Sequence, residues 1–227
     1  MQEAIKPSVQ FSRQMSVVDN ILAEVGRAVS VLDGSVHAGR PNPAGKLPFK
    51  TEAEPQLTPT EQRHAAGLMR VNHVGEICAQ ALYRGQAVFC GDAAIRDVLH
   101  GAAAEEVDHL VWCQERLNEL ESRPSLLNPL WYAGSFTLGL LASKAGRGKN
   151  LGFMAETERQ VEQHLDQHLQ DLPATDVRSR DIVEQMRQDE IVHRRTAEKQ
   201  GAHRLPKPVR LLMRGMSKVM TTTAYRF

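Results

Sequence analysis

Twice in this chain a glutamate is followed, one helical hairpin later, by Glu-x-x-His. Glu76 lies thirty residues before Glu106 and its companion His109, and a second glutamate stands a similar distance before Glu190 and His193. On an α-helix, positions i and i+3 share a face, so a carboxylate and an imidazole at that spacing can grip one ion. An interval near thirty carries the chain along one helix, round a turn and back along the next. Two such units point four carboxylates and two imidazoles inward from four helices, a set that holds two metal ions inside a bundle. No strand-based fold brings these spacings together as simply, so the pattern constrains the chain to an all-α architecture.

The pair count alone is weak. Random placement of 17 Glu and nine His predicts about 0.7 Glu-x-x-His pairs, and three occur: Glu61/His64, Glu106/His109 and Glu190/His193. Any one such pair on a charged helix is ordinarily solvated. Glu61/His64 has no matching glutamate upstream and falls in a first helical turn, so it reads as a capping region. The other two pairs have apolar neighbours: His109 precedes Leu110-Val111-Trp112, and Glu190 precedes Ile191-Val192. Glu76 sits in VNHVGEICAQALYRGQ, among small and apolar residues. A carboxylate on an apolar face must be paired or coordinated. In the second unit the upstream partner is open. Glu158 and Glu162 lie thirty-two and twenty-eight residues before Glu190, equally far from the thirty of the first unit.

Helical patterning covers most of the chain. Thr58, Pro59 and Glu61 form a capping-box start, and helices are expected over 60–88, 93–122, 149–171, 175–201 and 207–222. The first four make a bundle and the fifth a C-terminal appendage. Val18, Ile21, Leu22, Val25, Val29 and Leu32 form one stripe of a short amphipathic helix near the N-terminus. Residues 33–59 are rich in Pro and Gly and read as an arm over the domain surface. The division expected is therefore 1–59, N-terminal helix and arm, and 60–227, the metal-binding bundle. An uncharged stretch, PSLLNPLWYAGSFTLGLLAS over 124–143, approaches the length of a membrane span. Its prolines, Asn128 and Ser/Gly content argue against a regular one, so a buried or membrane-contacting hairpin is expected. No unbroken apolar stretch opens the chain, so no secretory signal is expected.

Composition removes several function classes. With 28 Lys+Arg against 27 Asp+Glu in 227 residues, and 41% hydrophobic content, the chain is neither a bulk polycation for nucleic acid nor disordered. Cys78, Cys90 and Cys113 contain no CxxC, which argues against a disulfide framework or a thiolate zinc site. The charge is unevenly spread, because no acidic residue follows Glu198 while Lys199, Arg204, Lys207, Arg210, Arg214, Lys218 and Arg226 do.

These motifs resemble those of the demethoxyubiquinone hydroxylases, ferritin-like di-iron monooxygenases of ubiquinone biosynthesis. Arg70-Val71-Asn72-His73-Val74-Gly75-Glu76 with Tyr83-Arg84-Gly85-Gln86 is similar to the family's "RVDHxGE…YxGQ" signature. Glu105-Glu106-Val107-Asp108-His109-Leu110, Asn128-Pro129-Leu130-Trp131 and Asp189-Glu190-Ile191-Val192-His193 match its later motifs in order. The resemblance runs from about Met69 to the C-terminus. It implies a ferritin-like four-helix bundle holding two Fe ions on Glu76, Glu106, His109, Glu158, Glu190 and His193. Glu158 follows from an ungapped count from Trp131, which also puts a family histidine of the outer coordination sphere at His164. The sequence departs from the family at Asn72, where many members have Asp, and at Leu165, where many have Tyr.

The implied reaction is hydroxylation of 2-polyprenyl-3-methyl-6-methoxy-1,4-benzoquinol to the 5-hydroxy product with O2, the penultimate step to ubiquinone. Glu76, Glu106, Glu158 and Glu190 are the expected catalytic carboxylates, with the two imidazoles oriented by Asp108 or Asp189. Tyr83, two turns beyond Glu76 on the same face, reads either as a packed core tyrosine or as a hydroxyl bonded to a ligand. An external reductant, with NADH as the candidate, is expected, because the chain has no Gly-rich dinucleotide fingerprint. A polyprenyl substrate implies a membrane surface, and 126–143 and 206–222 are the candidate contacts. The expected location is peripheral, on the cytoplasmic face of a bacterial inner membrane, alongside other ubiquinone-biosynthesis proteins. The competing readings are a ferritin-like ferroxidase or peroxidase and a metal-free helical adaptor.

Overall fold

The computed structural model describes residues 17–45 and 57–227, and seven helices occupy them: α1 (Val17–Asp33), α2 (Pro59–Val88), α3 (Ala93–Glu119), α4 (Asn128–Ser143), α5 (Arg147–Asp171), α6 (Val177–Lys199) and α7 (Lys207–Ala224). The starts of the bundle helices are written locally. Thr58 accepts from the Glu61 backbone N–H while Glu61 accepts from the Thr58 N–H, and Pro59 begins the helix where no N–H is needed. Asp92 caps α3 by accepting from Ala94 and Ile95, and Asp176 caps α6 by accepting from Ser179.

Two hairpins, α2/α3 and α5/α6, form the bundle. Its interior divides into two apolar regions. One contains Met69, Trp112, Leu117, Leu165, Ile182 and Met186; the other contains Tyr83, Ile95, Leu99, Leu151, Met154 and Ala197. Buried polar residues from all four helices occur along the same inner faces. This is the all-α, ferritin-like bundle expected.

The crossover between the hairpins corrects one expectation. Residues 128–143 form a single helix rather than a hairpin, because Pro129 falls in its first turn, where the missing N–H costs nothing. The hydroxyls of Thr137 and Ser143 bond back to the Ala133 and Leu140 carbonyls. α4 packs chiefly on α2 at a crossing built on two glycines. A Cβ on Gly85 would lie 2.3 Å from the Phe136 carbonyl oxygen, and one on Gly139 would lie 2.2 Å from that of Leu82. No described helix is long and apolar enough to cross a membrane.

The expected stripe of α1 is also corrected. Leu22, Val25 and Val29 are exposed, whereas Ala28, Val31 and Leu32 pack against Ile77, Leu110 and Tyr132. The side chains of Val18 and Ile21, and residues 1–16 and 46–56 of the N-terminal region, lie outside the described residues. α7 docks through Met220 and Ala224 on Val71 and Val74 of α2, with the Arg70 guanidinium donating to the Tyr225 carbonyl at 3.0 Å.

Candidate metal centre

Six side chains from the four bundle helices converge on one point. Glu76 comes from α2, Glu106 and His109 from α3, Glu158 from α5, and Glu190 and His193 from α6. All are buried, at 5% relative exposure or less. Their ligand atoms fall into two groups, Glu76/Glu106/His109/Glu190 and Glu106/Glu158/Glu190/His193, each with its atoms within 4.8 Å of one another. Glu106 and Glu190 belong to both groups, so the two positions are adjacent and share two carboxylates. Glu162 stays outside and pairs with Arg194 at 3.0 Å.

The electrostatics match the donor set to cations. Burial raises Glu76 and Glu158 well above the usual carboxylate range, and the neighbouring charges of Glu106 and Glu190 add to it. Burial opposes the ionised forms of Glu106 and Glu190 as well, yet hydrogen bonds from His109 and His193 hold both low. Asp189 at His109 and Glu105 at His193, followed by Glu106 and Glu190 at both, raise the imidazoles despite their burial. Four carboxylates match the charge of two divalent ions. Glu76 Oε2 and Glu158 Oε2 are buried with no hydrogen-bond partner, as acceptors aimed at a cation would be. The residues fit a two-metal site.

A second layer of contacts orients these groups. Asp189 Oδ2 lies 2.9 Å from His109 Nε2, while His109 Nδ1 faces Glu76, Glu106 and Glu190. Glu105 Oε2 lies 3.1 Å from His193 Nε2. Asp108, expected as an alternative orienter, does not touch His109. Adjacent helical positions point about 100° apart, and Asp108 accepts instead from the Gly39 N–H and Arg40 Nε of the N-terminal arm, each at 2.6 Å. Arg40 then donates to Asp189 Oδ2 at 2.8 Å and rests on the Trp112 ring, 5.0 Å from its centroid. The arm therefore reaches the centre through one guanidinium. No sequence signal marked Arg40, which is 68 residues from Asp108 and 149 from Asp189. Glu105 was visible within its motif but carried no spacing that assigned it a role.

Tyr83 is both things its position allowed: a fully buried core residue and a donor to Glu158 Oε1. Burial and the surrounding carboxylates push its phenol up, so it stays a donor at neutral pH. His164 has no hydrogen bond or ion pair with the six among the described residues, though it lines the same cavity as Glu76. It packs against His168, with ring centroids 3.9 Å apart and the rings tilted 59° to each other. Leu165 is core. Glu61 completes the α2 cap, and His64 bonds the Tyr225 hydroxyl and the Asp171 carbonyl. Beside the centre is a cavity of about 230 Å³ whose wall includes Glu76. The rest of it is mostly apolar, with Leu82, Trp131, Phe153 and Val161 facing Met213 and Met216 of α7.

The family model described as "Ubiquinone biosynthesis protein COQ7" matches residues 63–224. A Bordetella avium protein named 3-demethoxyubiquinol 3-hydroxylase is 66% identical over 214 residues, spanning 94% of this chain and 97% of the relative. Proteins of the same name from Bordetella petrii and Cupriavidus pinatubonensis are 62% and 56% identical, covering 95% and 92% of this chain and 94% and 100% of their own lengths.

Proposed function

The chain belongs to the COQ7 family of ubiquinone biosynthesis proteins, and from that membership and the paired carboxylate–imidazole groups we infer a di-iron monooxygenase. It hydroxylates the 2-polyprenyl-3-methyl-6-methoxy-1,4-benzoquinol ring with O2, giving the 5-hydroxy product. The observation that carries this reading is the sharing of Glu106 and Glu190 by two adjacent buried groups beside an apolar cavity.

The six residues Glu76, Glu106, His109, Glu158, Glu190 and His193 would hold the irons. Bound there, two Fe(II) ions supply the electrons that O2 reduction requires, a task no acid–base site performs. The chain's own contribution is arrangement. Asp189 and Glu105 fix which imidazole nitrogen faces the centre by accepting from the other. Tyr83 holds Glu158 in one orientation through a hydroxyl that stays protonated. The apolar wall beside Glu76 orients a quinol ring and excludes water. Its inner α7 residues let an isoprenoid tail leave between the bundle and that helix.

Electrons come from an external reductant, with NADH as the candidate. Peripheral attachment to the cytoplasmic face of the bacterial inner membrane is supported by Leu130 and Leu141 of α4 and by Leu211, Leu212, Met216 and Val219 of α7, all exposed. Anaerobic Fe(II) loading tests the reading: two irons per chain and quinol-dependent O2 consumption in detergent are expected. A deletion strain should accumulate the demethoxy quinone, and Glu106→Ala should fail to rescue it. Two irons with O2 uptake but no quinol product would make the chain a ferroxidase.

A further inference from the structure

A second cavity, about 380 Å³ and separate from the metal centre, opens between α5 and the start of α7. Four arginines line it: Arg159 from α5, Arg204 from the loop before α7, and Arg210 and Arg214 from α7. The one acid in its wall, Glu156, is buried and already engaged. It accepts from Arg159 and, at 2.9 Å, from Gln160 Nε2. Arg204, Arg210 and Arg214 have no side-chain hydrogen bond or ion pair among the described residues. The Nε of Arg210 is also buried without a partner. Three guanidinia line one cavity with donors that no described protein acceptor takes, an arrangement that a shared anion would satisfy. The planar fork of Arg suits the tetrahedral oxygens of phosphate.

We propose that this cavity is a binding site for a phosphate group, presented by an anionic lipid headgroup. Position selects the lipid. Arg210 and Arg214 lie one turn apart on α7, and the exposed Leu211 and Leu212 follow directly beside Arg210. The same helix sends Val209 and Met213 into the apolar cavity, and Gln160 lines both cavities. A phosphate held by the arginines would set its acyl chains along the apolar side of α7. That anchors the helix forming one wall of the substrate cavity. Nothing in the hydroxylation reading requires this site.

The test uses the iron-loaded full chain and calorimetric titration with monomeric dihexanoyl phosphatidylglycerol and, separately, inorganic phosphate. Three proteins are compared: wild type, R204Q/R210Q/R214Q, and K199Q/K207Q/K218Q, which removes equal charge outside the cavity. The pocket variant should bind the lipid about tenfold or more weakly, whereas the control should change by less than about threefold. R204Q alone, on an exposed loop residue, should weaken binding measurably with iron content and melting temperature unchanged. Equal weakening in both triple variants would reduce the effect to diffuse charge and overturn the proposal, as would no binding by wild type. Inorganic phosphate bound as tightly as the lipid would overturn the headgroup assignment. Binding is read without turnover, so failure of the hydroxylase reading would not register here.

Discussion

Glu158 and Glu162 illustrate how little separates a buried ligand candidate from a surface ion pair. They are one turn apart on one face of α5, so only about 6 Å of axial position distinguishes them. Glu158 lies in the cluster and Glu162 on Arg194. Iron content measured after anaerobic loading should fall to half or less in Glu158→Ala and stay at the wild-type level in Glu162→Ala. The reverse result would sink the ligand set. Arg40 is a positioning residue, its guanidinium lying 3.4 Å from His109 Nε2 and donating to Asp189, which meets the same nitrogen. Arg40→Ala should speed iron loss to a chelator by roughly tenfold, the lower end of effects for partners beyond the ligands. Arg40→Lys should recover only part, since an ammonium cannot bridge Asp108 and Asp189 as a fork does. Equal chelator kinetics in all three proteins would show that the arm has no hold on the centre.

At the scale of elements, the α2/α4 crossing depends on bare backbone. Gly85→Ala or Gly139→Ala forces a methyl into a carbonyl, and the helices must separate at a cost of roughly 1–3 kcal/mol. Denaturant unfolding should show that loss, and an Ala at the open Gly134 should not. The α5 pair His164 and His168 adds a pH dependence. Burial holds both imidazoles neutral, lowering them to about 4 and about 2, with His164 and then His64 of α2 pushing His168 further and Asp171 favouring charge on His164. The unfolded chain takes up protons below about pH 6.5 while the folded chain does not, so their stabilising contribution is complete above that pH and lost as pH falls. Each histidine should cost on the order of 2 kcal/mol by pH 5. His168→Gln should flatten the fall in melting temperature between pH 7 and pH 5, and an unchanged slope would refute this account.

For the whole molecule, the near-zero net charge conceals a division of labour. Buried carboxylates collect in the bundle, and unpaired cations collect around α7 beside exposed Leu211, Leu212, Met216 and Val219. Leu211→Glu/Val219→Glu, two α7 residues outside the substrate cavity, should abolish cosedimentation with anionic vesicles while leaving two irons per chain. Cosedimentation at the wild-type level would overturn α7 as the membrane-contacting element.

The bundle helices, the caps of α2, α3 and α6 and the inward face of the doubled motif are determined by the sequence alone, because capping and the i, i+3 spacing act within a turn or two. The doubled Glu…Glu-x-x-His pattern therefore sufficed for the bundle and for five of the six clustered residues. Tertiary structure decided the remainder. Periodicity left Glu158 and Glu162 equal and the family resemblance implied Glu158; the tertiary structure put Glu158 in the cluster, because axial register across a bundle is set by packing. It gave Asp189 and Glu105 to the imidazoles and turned Asp108 to the arm, a pairing across 68 residues that no local rule encodes. It made 128–143 one helix and turned Leu22, Val25 and Val29 of α1 outward, because a neighbour's surface, not the apolar stripe itself, determines which face is covered.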